Sequence, residues 1–122
     1  MLRTLASATV LTVAILGLTA CGDDDSSGSD GDSTTPVTID VTFEGGTVTP
    51  NGERVEVKTG QPVELSITAD AAGEIHVHGD PEQTLDYGEG TSTAEIEPID
   101  QPGVVDVESH DLDVVIVQLE VS

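Results

Sequence analysis

Tryptophan is absent from this chain, and phenylalanine, tyrosine, cysteine and methionine each occur once. One cysteine excludes an internal disulfide, and two aromatic rings leave any core to aliphatic side chains, chiefly valine. Basic residues are almost as scarce, with 3 Lys+Arg against 24 Asp+Glu and a formal charge of −21. Arg3 lies in the leader, so only Arg54 and Lys58 remain beyond it. Such a surface repels phosphate and anionic lipid heads, which excludes nucleic-acid binding. It suits cations, a basic partner, or plain solubility. There is no phosphate loop and no dinucleotide fingerprint. From residue 36 onward no stretch places its apolar residues at the 3.6 spacing of a helix.

What is present begins with an address. Met1-Leu2-Arg3 is a short positive segment, and residues 5–19 are small or apolar and uncharged. That run is short for a bilayer span of ~20 residues but fits a signal-peptide core. It ends Leu18-Thr19-Ala20-Cys21-Gly22, which resembles the lipobox of bacterial lipoproteins. The resemblance covers the first 22 residues. It implies cleavage before Cys21, lipidation of its thiol, and anchoring to the outer face of the cytoplasmic membrane or cell envelope. Several acyl chains are needed for a durable anchor because burial contributes only ~0.8 kcal/mol per CH₂. Residues 22–35 hold no large apolar side chain, so they read as a solvated acidic tether without the spacing of a calcium loop. The expected organisation is a signal peptide over 1–20, an acylated Cys21 with tether over 21–35, and one domain over 36–122.

That domain alternates with period two. Val37, Ile39, Val41 and Phe43 interleave with polar residues, as do Val63, Leu65, Ile67 and Ala69. Further strands are expected over 53–58, 74–79, 84–87, 91–97 and 103–109. The run Val114-Val115-Ile116-Val117 within 113–121 suggests a strand covered on both faces. Gly45-Gly46, Pro50-Asn51-Gly52, Gly79-Asp80-Pro81 and Gln101-Pro102-Gly103 are among the turn signals between them. About eight short strands predict an all-β Greek-key sandwich or barrel.

The candidate site is a set of histidines. His76 and His78 stand at i and i+2 in Glu74-Ile75-His76-Val77-His78-Gly79, on one face of a strand, and His110 follows another strand. With carboxylate help from Asp80, Glu108 and Asp111, neutral imidazoles suit copper, zinc, nickel or iron ions. If Ile75 and Val77 face the core, the two histidines face solvent. If the histidines point inward, the apolar pair faces out. Structural strand-end histidines and pH sensing are the other readings. A relay from Ser109, His110 and Asp111 is not expected, because consecutive residues point in different directions.

Several stretches in order resemble the cupredoxin-like domains of bacterial envelope proteins, including those attached to iron-uptake lipoproteins. They are Glu53–Val63 with its Lys58-Thr59-Gly60-Gln61-Pro62-Val63, the His76-Val77-His78-Gly79 strand end, Gln101-Pro102-Gly103 through His110, and Gln118–Val121. The resemblance spans most of 46–121. It implies a pole where the histidines converge, with Ser109 at the position of the copper-binding cysteine and His76 near the first copper histidine. A blue-copper site needs a thiolate and usually a methionine, and the domain has neither, so type 1 copper is excluded. The expectation is a lipid-anchored, non-enzymatic binding module, holding or delivering a metal through His76, His78 and His110. The alternative is a metal-free interaction domain of the envelope.

Overall fold

The computed structural model describes residues 34–122. The signal peptide, Cys21 and the tether as far as residue 33 lie outside the described residues. Nine strands form two sheets. One holds β2 (Thr47–Thr49), β1 (Val37–Glu44), β4 (Val63–Ala69) and β7 (Gly90–Ile96), in that order. The other runs β3 (Glu53–Val57), β9 (Val114–Val121), β8 (Gly103–Ser109), β5 (Gly73–Val77) and β6 (Gln83–Tyr87). β1 pairs parallel with β4 and β3 with β9, while the other pairings are antiparallel. Thr35, assigned to the tether on sequence, is tied to the domain by the Gln61 side-chain amide, which donates to its carbonyl at 2.7 Å.

The period-two pattern builds the core. Val41, Val63, Leu65 and Ile67 from one sheet meet Ile75, Val77, Val107, Val117 and Leu119 from the other, all fully or almost fully buried. The two aromatics, Phe43 and Tyr87, stack across the layers with ring centroids 4.6 Å apart. The strand that alternation does not announce is β2. It completes a hairpin with β1 through Gly45-Gly46, both at positive φ (60° and 75°) as a two-residue type I′ turn requires. After β2 the chain leaves that sheet at Pro50, which cannot donate to a ladder, and joins the other as β3.

One expectation is corrected. β9 is not covered on both faces, since Gln118 and Glu120 lie half-buried on its outer side. Ile116 and Val117 are both buried because the register slips, with Val107 opposite Val117 but Glu108 opposite Val115. Ile116 is the extra residue of a β-bulge.

Candidate functional site

Alternation along β5 settles where the histidines point. Ile75 and Val77 are fully buried, so His76 and His78 stand on the outer face of the five-stranded sheet. His76 sits between Glu108 of β8 and Thr84 of β6 in the register, and the His78 amide, just past the strand, donates to Asp106 O at 2.9 Å. The His110 ring stacks on His76, centroids 4.8 Å apart and planes 15° from parallel. All three imidazoles therefore gather on one patch.

Carboxylates surround them. Glu74, two residues before His76 and on the same strand face, hydrogen-bonds His76 Nε2. Glu108 Oε2 lies 3.0 Å from His78 Nε2. Glu82, in the turn before β6, places Oε1 3.6 Å from His76 Nδ1 and 3.9 Å from His78 Nδ1. The Glu74 hydrogen bond is the main reason that the His76 imidazolium is favoured, raising its pKa above the ordinary 6.5. Burial opposes that shift, and the negative charges of Glu74 and Glu82 add to it.

Of the carboxylates expected on sequence, only Glu108 touches an imidazole. Asp111 instead accepts the Glu74 backbone N–H at 3.2 Å, and Asp80 is exposed in the β5–β6 turn. Glu74 and Glu82 were legible in principle: Glu74 shares the face of His76 at i−2, and Glu82 follows His78 at i+4 across a Gly-Asp-Pro turn. His110 does not converge with the others on one point, because stacked rings direct their in-plane lone pairs along parallel lines. No group of three or more His, Cys, Asp or Glu among the described residues is already arranged to hold a metal ion.

The inner face at this end is a different environment. Ser109 is fully buried opposite Ile75, and its Oγ accepts the Leu112 N–H at 3.4 Å. His76 lies on the other side of the sheet, so the expected pairing of Ser109 and His76 in one former copper site does not occur. Inward of Gly73 the space is taken by the Tyr87 hydroxyl and Asp111 Oδ2, the latter 2.6 Å from where a Cβ would stand. A type 1 copper set does not fit here, since among the described residues no thiolate, thioether or imidazole faces inward. Ser109, His110 and Asp111 diverge and form no relay.

No protein-family model matches the sequence, and neither does any curated protein. Solved structures do. The described fold is similar to a blue copper oxidase from Nitrosomonas europaea, with a TM-score of 0.53 and 19% identity over 73% of this chain. The chain spans 44% of that protein's length. It is also similar to auracyanin A, a blue copper protein of Chloroflexus aurantiacus (TM-score 0.51, 13% identity, 72% of this chain and 100% of that one). A purple cupredoxin from Nitrosopumilus maritimus gives a TM-score of 0.50 at 15% identity, over 70% of this chain and 99% of that one. Nine strands in two sheets, without a helix among the described residues, together with these neighbours make the domain a cupredoxin-like Greek-key β-sandwich.

Proposed function

We propose that this chain is an exported, lipid-anchored, non-catalytic cupredoxin-like module that binds a transition-metal ion on the outer face of its five-stranded sheet. The lipobox-like Leu18–Cys21 supports the anchor and the extracytoplasmic address. The iron-uptake lipoproteins resembled in sequence supply the setting, metal handling at the cell envelope. The metal reading rests on His76, His78 and Glu82, with Cu(II) or Zn(II) the best matched ions and Ni(II) or iron next.

The observation that carries it is how the ring nitrogens are shared out. Glu74 and Glu108 engage Nε2 of the two rings, which leaves both Nδ1 atoms facing the single carboxylate of Glu82. Carboxylates bound to the far nitrogen are the usual outer partners of metal-ligating histidines. Separations of 3.6 and 3.9 Å are long for hydrogen bonds. They lie near the ~3.4 Å edge of a tetrahedron with metal–ligand bonds of ~2.1 Å. Two Nδ1 atoms and a carboxylate facing one another form a set of donors that a metal ion between them would satisfy. Glu82 is 59% exposed and free to close the set.

A metal-free interaction domain is the second reading, favoured by the His76–His110 stack and by the absence of a preformed metal group among the described residues. Calorimetric titration of the full chain in mild detergent with Cu(II) and Zn(II) separates the two. The metal reading expects one ion per chain at micromolar affinity or better. Binding should be lost in His76→Ala/His78→Ala, weakened in Glu82→Gln and little changed in His110→Ala. An absence of binding, or binding indifferent to the double variant, leaves the interaction domain.

A further inference from the structure

A cavity of ≈ 200 Å³ opens at the end of the sandwich where the β1–β2 hairpin, the β4–β5 turn and the β8–β9 turn meet. Its walls include the stacked Phe43–Tyr87 pair, Ala72 and Leu112. Three carboxylates line it, Glu44, Asp70 and Asp111. Neither basic side chain of the domain does, and Arg54 is paired elsewhere with Glu120. Asp70 spends Oδ2 on the Gly45 N–H and Asp111 spends Oδ2 on the Glu74 N–H, which leaves Oδ1 of each without a hydrogen bond among the described residues. The Glu44 carboxylate has no hydrogen-bond partner there either.

The second observation is Tyr87. It is 8% exposed, lines this cavity, and its hydroxyl makes no hydrogen bond among the described residues although it lies beside Asp111 over Gly73. Most of the side chain is buried while the oxygen itself is accessible at the cavity wall, so it is open to a donor that enters there. Burial, with Asp111 and Asp70 close by, also pushes its phenol pKa above 10, the behaviour of a hydroxyl held among negative charges with no cation to offset them.

We propose that this cavity binds a primary alkylammonium group, the end of a lysine side chain or of a free alkyl amine. The carbon chain lies against the aromatic pair and Leu112. The head donates to Glu44, Asp111 and the Tyr87 oxygen, and Asp70 adds its negative charge beside them. An ammonium carries three donors and no acceptor, matching three acceptors in an anionic site. The volume is below the ~300–1,000 Å³ of pockets for drug-sized ligands, which suits the tip of one chain. The apolar walls and the aromatic pair favour an amphipathic cation over a hydrated metal ion. The site shares no ligand with His76, His78 or Glu82, so it stands or falls apart from the metal reading.

The test uses a reporter built into the chain. Tyr87 is the only tyrosine and there is no tryptophan, so intrinsic emission reports on this cavity alone. The full chain in detergent is titrated with butylammonium, 1,4-diaminobutane and Nα-acetyl-lysine methylamide, with butanol and KCl as controls, and calorimetry runs in parallel. The amines should give a saturable change that the controls lack. Affinity should fall by about tenfold in Asp111→Asn and in Glu44→Gln, one carboxylate contact being worth roughly that factor. Glu44→Gln removes a carboxylate that bonds nothing in the structure, so it guards against misfolding of the first variant. Tighter binding of the lysine derivative would identify a partner's side chain, and tighter binding of the free amines a small-molecule ligand. Equal responses to butanol or KCl, or unaltered affinity in Glu44→Gln, would overturn the proposal.

Discussion

His76 and Gly73, three residues apart on β5, answer to different forces. The raised pKa of His76 means that the folded state holds its proton more tightly than the unfolded chain does. Its contribution to stability is therefore complete below about pH 6.5 and is lost as pH rises through the raised folded value. In metal-free buffer, the denaturation midpoint of the wild type should fall across that window. His76→Gln, which cannot titrate, should show a flatter profile there, and parallel profiles would mean that the Glu74 hydrogen bond does not persist in solution. Gly73 is a matter of space. A methyl group there meets the Tyr87 hydroxyl and Asp111, so Gly73→Ala should cost about 1–3 kcal/mol. At Gly88 the backbone φ is not positive and nothing lies within 4 Å of the place a Cβ would take, so Gly88→Ala should instead stabilise by about 0.4–1 kcal/mol. Chemical denaturation of the pair checks both signs at once.

At the scale of elements, the strands whose alternation covers five or more residues were legible and the short one was not. Val63 to Ala69 carries four apolar residues on one face, enough to declare a half-buried strand. Thr47–Thr49 offers a single inward residue, Val48, and only its pairing with β1 makes it a strand. The turn was the better signal, because Gly45-Gly46 is the sequence a type I′ hairpin needs. Alanine at either position would sit in the left-handed region at about 1–2 kcal/mol per residue. Hydrogen exchange should then show loss of protection at Thr42, Glu44 and Thr49, the β1–β2 ladder, while the β8–β9 ladder keeps its protection. Loss throughout would mean that the hairpin is a cooperative part of the sandwich rather than a detachable edge. The candidate site was half legible for a related reason. The i, i+2 spacing put His76 and His78 on one face, but which face was decided by packing against β8, which puts Ile75 opposite Ser109. The tie of Asp111 to the Glu74 amide and the position of Glu82 over both rings depend on loop conformations that alternation does not encode.

Over the whole molecule, one sign of charge dominates. The chain carries a formal −21, and of the two basic side chains among the described residues, Arg54 and Lys58, only Arg54 is in an ion pair, 2.9 Å from Glu120. That pair is well exposed, at 70% and 37%, so it contributes about 0–1 kcal/mol at most and loses part of this in salt. The repulsion among the carboxylates acts on the folded state as a whole and is relieved when the chain expands. Added salt therefore has two opposed effects, and the repulsive one involves many more pairs. Raising ionic strength from ~0.01 to ~0.15 M shortens the Debye length from about 30 to about 8 Å, enough to screen charges on opposite sides of the sandwich from one another. Thermal stability should rise over that range, by the same amount in NaCl and KCl and equally in His76→Ala/His78→Ala. Sucrose at matched osmolarity, which leaves the charges unscreened, provides the reference. If the melting temperature does not move, the acidic surface is already neutralised by cations bound to its carboxylates, and a chelator of divalent ions should then lower the melting temperature of the wild type and of the double variant alike.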